Sequence, residues 1–181
     1  MGNRTSKRLS VRDYRQPGRY FITICTHGRA HYFGKCKEGE MLLSPIGKIT
    51  HDLWFTIPQH HQEVELGAFV VMPNHLHGII EIKPSDTAVW NAKTQTTSAF
   101  GTKEYYQQIG AKAGSLSQIV GSYKSSITRE VRKRGFSFEW QKSFHDHVIR
   151  KGEEEKIRSY IENNPKTWKE DGFYSSDVGG W

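Results

Sequence analysis

Two strand-like runs, residues 64–72 (VELGAFVVM) and 75–82 (HLHGIIEI), are separated only by Pro73 and Asn74. Both runs are rich in apolar and β-branched residues, and Pro-Asn is a turn signal. Parallel neighbours need a long crossover between them, so strands this close together pair antiparallel. This hairpin is the constraint to which the rest of the chain must conform.

Residues 20–26 (YFITICT) open after Pro17-Gly18 and are dense in β-branched and aromatic residues, which predicts a central strand. Residues 41–44 (MLLS) lead to Pro45, a good first-turn residue, and Ile46, Ile49, Leu53 and Ile57 then recur at helical spacing as far as Pro58. The spacing predicts a helix over about 45–57. Residues 84–113 are Ser, Thr, Gln, Asn, Gly and Lys with little period, as in a flexible insert. Ser115 and Gln118 form a capping box, and Leu116, Ile119, Val120, Tyr123, Ile127 and Val131 share one face of a helix that stops near Gly135. Its other face carries Lys124, Arg129, Arg132, Lys133 and Arg134, which suits contact with DNA and equally an ordinary solvated face. Residues 143–150 (SFHDHVIR) read as a strand inserted into the core. A last helix begins near Glu153, where three glutamates complement the helix dipole, and ends at about Asn164 because Pro165 follows. The order fits one α+β domain over 1–181, an antiparallel sheet with helices packed on one face, a basic arm at 1–19 and a tail at 166–181.

The charge balance points to a polyanionic partner: Lys+Arg 26 against Asp+Glu 19 leaves a net charge of +7 and a pI near 9.4. Arg4, Lys7, Arg8, Arg12, Arg15 and Arg19 crowd the first nineteen residues with only Asp13 opposing them. Such an arm can lie along phosphates, or remain a solvated terminus. No run reaches the roughly 18 apolar residues of a membrane span, and MGNRTSKRLSVR lacks the apolar stretch of a secretory signal, so a cytoplasmic protein with no membrane partner is expected. Cys25 and Cys36 are too few for a disulfide framework or a structural zinc site, and both are expected to be reduced.

Side chains two apart on a strand project from one face, so His75 and His77 point together while Leu76 and Gly78 face away. Two such imidazoles fit one shared metal ion, and they also fit two independently satisfied histidines. A glycine at 78 permits close approach of a backbone or a ligand. His145-Asp146-His147 repeats the spacing, where a structural or nucleic-acid-contacting role is expected; His27, His31, His51, His60 and His61 show no ligand pattern. On the last helix Tyr160 and Asn164 are one turn apart, beside Ile157 and Ile161, a pattern that ordinarily means core.

Taken together, VVMPNHLHGII (70–80) and YIENNP (160–165) resemble the single-tyrosine HUH transposases of the insertion sequence 200/605 group, and most closely their REP-associated relatives. His75-Leu76-His77 satisfies the histidine, bulky apolar residue, histidine motif, and YFIT (20–23), the Lys124 helix and FHDHVIR (144–150) extend the resemblance over most of the chain. The resemblance implies a ferredoxin-like sheet of the HUH endonuclease fold and cleavage of single-stranded, hairpin-associated DNA through a 5′-phosphotyrosine link. It makes Tyr160 the nucleophile, and His75, His77 and Asn164 the ligands of Mg²⁺ or Mn²⁺. Arg4, Arg8, Arg12, Arg15, Arg19 and Lys124 are the expected DNA contacts. Insertion-sequence members commonly carry glutamine one turn after the tyrosine, whereas Asn164 with Pro165 matches the REP-associated branch. The first group acts as homodimers that exchange the tyrosine helix, the second as monomers.

Two other readings stand beside this one. A domesticated relative would grip hairpin DNA or RNA without cutting it. A zinc hydrolase of small substrates would need a carboxylate near the histidines, and Glu81 lies about 13 Å along the strand from His77.

Overall fold

The computed structural model describes residues 17–84 and 115–176. Arg4, Arg8, Arg12 and Arg15 of the expected arm, and all of the expected insert except Pro84, lie outside these residues. No helix among the described residues is long and apolar enough to cross a membrane.

Strands β1 (Gly18–Cys25), β4 (Val64–Val71), β5 (His75–Ile82) and β6 (His145–Val148) form a sheet in the order β4-β5-β1-β6, every pairing antiparallel. β1 is central, as expected, and the Pro73-Asn74 turn joins β4 to β5. β6 departs from its expected place. It is an edge strand with His145 and His147 exposed, because its alternation is too weak to cover both faces. Strands β2 (Gly34–Lys37) and β3 (Glu40–Leu43) make a separate hairpin that the apolar pattern does not announce. Its two-residue loop, Glu38-Gly39, has φ of 55° and 80°, the left-handed pair that a tight hairpin turn requires.

Helix α1 (Pro45–Trp54) starts where Ser44 Oγ accepts from Gly47 N at 3.0 Å, and it stops short of the expected 57; a separate turn, α2 (Ile57–His60), takes up Pro58. Helix α3 (Leu116–Lys133) is capped by Ser115 and buries the apolar face read from the sequence. Helix α4 (Glu154–Asn163) completes the α+β fold. The packing of helices on one face of the sheet holds for α1 and α3, which cover Tyr20, Ile22, Ile24, Leu76 and Ile80. α4 lies over the opposite face, against Phe21 and His77.

Gly78 belongs to the α1 side. A Cβ there would stand 2.5 Å from the indole of Trp54, which is fully buried, stacked on Phe69 at 4.3 Å and edge-on to Tyr123 at 5.4 Å. The close approach it permits is therefore that of a core side chain rather than a ligand. Gly78→Ala is expected to destabilise the fold by about 1–3 kcal/mol through overpacking, read as a lowered urea midpoint at unchanged m-value.

Candidate active site

Strand alternation puts Phe21, Thr23, His75 and His77 on the face that α4 covers. Pairing sets Thr23 opposite His77. His75 is 0% and His77 1% exposed. Asn74 is spent almost entirely on this site: its Nδ2 donates to Phe173 O and Ser175 Oγ, both at 3.1 Å, and its Oδ1 lies 2.8 Å from His75 Nδ1. An amide oxygen only accepts, so His75 carries its proton on Nδ1 and turns the lone pair of Nε2 inward. Thr23 Oγ1 lies 2.9 Å from His77 Nδ1, and a hydroxyl can either donate or accept there. The two Nε2 atoms consequently face each other at 3.0 Å.

Tyr160 comes down from α4 onto this pair. Its hydroxyl lies 3.2 Å from His77 Nε2 and donates to Asp171 Oδ2 at 2.9 Å, while the residue stays 41% exposed and open to a large substrate. Phe21 stacks on the His77 ring at 5.3 Å and meets Tyr160 edge-on at 6.0 Å. Asn164, fully buried, donates Nδ2 to Asp171 Oδ2 at 2.6 Å. That donation fixes the orientation of the amide and leaves Oδ1 buried without a partner.

Asp171 is the residue that sequence reasoning missed. It follows a short 3₁₀ turn, Trp168–Glu170, in the segment expected to be only a tail, and its Oδ1 accepts from Phe173 N at 2.5 Å. Asp-Gly at 171–172 is a turn signal, which marks the bend but gives no hint that it ends at the histidines. His75, His77 and Asp171 each offer one ligand atom within 4.8 Å of the others, a group that could hold a metal ion.

The donor set fits a hard or borderline divalent cation. Adjacent ligands of an octahedral ion with bonds of about 2.1 Å stand about 3 Å apart, matching the facing imidazole nitrogens. The orphaned Asn164 Oδ1 supplies a further amide oxygen in the same neighbourhood.

Electrostatics favour the forms a metal needs. Burial lowers the pKa of both histidines, and for His75 the neighbouring His77 lowers it further, so both are neutral at pH 7, the form in which an imidazole can bind a metal. Burial opposes ionisation of Asp171, but the nearby His77 and hydrogen bonds from Asn164 and Phe173 N prevail and hold its carboxyl well below the usual range. Burial and the charge of Asp171 push the Tyr160 phenol well above its ordinary value. The histidines also give a pH dependence of stability. Their folded pKa values lie below the unfolded value of 6.5, so on acidification the unfolded chain takes up protons first. Stability is expected to fall as pH drops from about 6.5 towards those lowered values. Urea unfolding of metal-free protein between pH 7 and 5 checks this, and a His75→Gln, His77→Gln double variant should flatten the slope.

Of the expected DNA contacts, Arg19 and Lys124 are among the described residues, and neither is brought to this site. Arg19 lies in β1, where its Nε meets Glu81 at 2.7 Å and its Nη1 meets Glu154, tying the sheet to the start of α4. Lys124 donates to Gln141 O at 2.8 Å. His147 Nε2 lies 3.0 Å from Glu153 Oε2. Both cysteines are free thiols, and Cys36 donates to Pro165 O, fastening the β2–β3 hairpin to the end of α4.

Comparison with known proteins agrees with this fold. No protein-family model matches the chain. An uncharacterised protein of Haemophilus influenzae is 36% identical over 178 residues, covering 95% of this chain and 93% of that one. Among solved structures, that of a REP-associated tyrosine transposase bound to a REP hairpin is similar at a TM-score of 0.54, with 19% identity over 94% of this chain and 92% of that one. The resemblance seen in the two motifs is thus borne out across the fold, and the chain belongs to the family of the Haemophilus influenzae protein and has the fold of the REP-associated tyrosine transposases.

Proposed function

We propose that the protein is a metal-dependent transposase that cuts and rejoins single-stranded, hairpin-associated DNA, with Tyr160 as its nucleophile. The observation that carries the reading is the position of the Tyr160 hydroxyl, 3.2 Å from a metal-competent imidazole of its own chain and 2.9 Å from a carboxylate. A site complete within one chain needs no exchanged helix, which favours a monomer acting in cis.

The phenol oxygen attacks the scissile phosphorus. A tyrosyl O–P bond forms on the 5′ side, the bond to the 3′ oxygen breaks, the phenol gives up its proton, and the leaving 3′ oxygen takes one up. Asp171 accepts from the Tyr160 hydroxyl and holds it in one direction. His75, His77 and Asp171, with Asn164 Oδ1, would hold Mg²⁺ or Mn²⁺, which supplies Lewis-acid stabilisation of charge on the phosphate oxygens. Phe21 and Thr23 keep the His77 ring in place. Because the linkage stores the phosphodiester energy, the freed 3′-hydroxyl can reverse the step on another strand without a nucleotide cofactor. The fold neighbour bound to a hairpin supports DNA as the partner.

Incubation with end-labelled single-stranded DNA taken from sequences flanking the coding region, plus Mn²⁺, should give a denaturation-resistant protein–DNA band. A second reading gains from Asp171, which supplies the carboxylate that a zinc hydrolase needs. Scission by the wild type without any covalent band would favour that reading and overturn the transposase.

A further inference from the structure

Arg29 holds a cation beside the histidine site that no ligand set uses. It ends the 3₁₀ turn His27–Arg29 after β1, and its φ of 60° is left-handed, a strained conformation for a residue with a Cβ. Both flanks hold that strain in place. Thr26 N donates to Asn74 O at 2.9 Å and the Thr26 hydroxyl to Ala30 O at 2.8 Å, while the buried His31 lies 3.0 Å through Nε2 from Ser175 Oγ. Asn74 also donates to Ser175 Oγ, so the turn is pinned to the groups that seat His75.

The half-buried Arg29 side chain lays its guanidinium on the ring of Phe173, 4.5 Å from the ring centre. That ring packs 4.8 Å from His75 and 5.7 Å from His77. The charge reaches the site: after burial and His77, Arg29 is a further cause of the low His75 pKa, while Asp171 opposes it. Asp171 does not neutralise the guanidinium, because its oxygens take hydrogen bonds from Tyr160, Asn164 and Phe173 N. Among the described residues the Arg29 side chain has no hydrogen-bond or carboxylate partner.

This placement selects a ligand. A guanidinium with its face on an aromatic ring keeps its N–H groups along the edge, where they match two oxygens of one phosphate. An uncompensated cation within reach of a divalent ion repels it, and a phosphate strand lying between them offsets both charges. Arg29 makes no hydrogen bond to His75, His77 or Asp171, so it meets that strand beside the ion rather than at it.

We propose that Arg29 clamps the phosphate next to the scissile one through its guanidinium edge and so sets the strand in register with Tyr160. The register rests on the transposase reading, whereas the phosphate contact can be read by binding alone. The probe is the single-stranded DNA of the adduct assay, prepared with one linkage at a time replaced by an uncharged methylphosphonate. Fluorescence anisotropy is measured in a Tyr160→Phe background, which cannot react.

Arg29→Gln should bind the unmodified strand about tenfold more weakly near 0.1 M salt, the loss of one charge-assisted contact. The slope of log affinity on log salt should fall by about 0.7, the share of one phosphate on a single strand. A methylphosphonate at the linkage next to the scissile one should cause the same loss when Arg29 is present and add nothing in Arg29→Gln. Arg29→Asn, which accepts a left-handed φ more readily, should behave as Arg29→Gln, so that a disturbed turn is not the cause. With Tyr160 present, both variants should form adduct about tenfold more slowly at saturating DNA, and Mn²⁺ affinity of the DNA-free protein should not fall. Reduced Mn²⁺ affinity would make Arg29 a prop for Phe173 and His75 and overturn the proposal. Losses that add at every linkage, or coupling confined to the scissile linkage, would overturn it equally. Coupling at the neighbouring linkage with no covalent band from the wild type would retain the phosphate contact and remove the register with Tyr160.

Discussion

Tyr160→Phe is expected to abolish the covalent protein–DNA band while leaving fold and metal binding intact. The substitution removes one oxygen. What the folded protein loses is a hydrogen bond from a partly exposed hydroxyl to Asp171, worth about 1 kcal/mol. The ring keeps its edge contact with Phe21, and Ile161 behind it remains buried. What the reaction loses is the attacking atom, and among the described residues no other hydroxyl is hydrogen-bonded to the inward-facing His77 Nε2. Adduct formation should fall by at least about a thousandfold, which a denaturing gel of labelled DNA reads directly. Circular dichroism and Mn²⁺ titration should match the wild type. A persisting band would transfer the nucleophile to another residue, and scission persisting without a band would give the attack to water.

The sequence made the two facing histidines legible because a period of two is local: once 75–82 is a strand, His75 and His77 share a face whatever else the chain does. Tyr160 and Asn164 were legible for the same reason, at a period of one helical turn. The union of the two pairs was visible only through resemblance, since nothing local says that α4 crosses to the opposite face of the sheet from α1 and α3. Asp171 shows the limit most clearly. It sits in a turn after the last helix, and its place beside His77 depends on Asn74, nearly a hundred residues earlier, gripping Phe173 O and Ser175 Oγ. The β2–β3 hairpin escaped because four-residue strands carry too little alternation to register, although Glu38-Gly39 was a usable turn signal. β6 was misread as a core strand because Phe144, Val148 and Ile149 outweighed two histidines that in fact face solvent.

Asp171→Asn should weaken Mn²⁺ binding by about a hundredfold, measured by calorimetry or by the loss of the free-ion electron paramagnetic signal. The reasoning starts from charge. Two neutral imidazoles and an amide oxygen make a feeble site for Mn²⁺ or Mg²⁺, which favour anionic oxygen. Asp171 is the carboxylate grouped with the histidines among the described residues, and its hydrogen bonds keep it ionised far below neutral pH. Asparagine preserves the shape and one acceptor for Phe173 N but removes the charge, and it sets an amide against the Nδ2 of Asn164. Asn164→Ala, by contrast, removes a neutral donor set whose Oδ1 is already without a partner, so its loss of affinity should be smaller, about tenfold. His77→Ala is the upper bound, since it removes the imidazole that faces His75 at 3.0 Å and also touches Tyr160. The ranking His77→Ala, then Asp171→Asn, then Asn164→Ala decides between two ligand sets. If Asn164→Ala proves the more damaging of the last two, the ion is held by the histidines and the amide, and Asp171 acts on the Tyr160 hydroxyl alone.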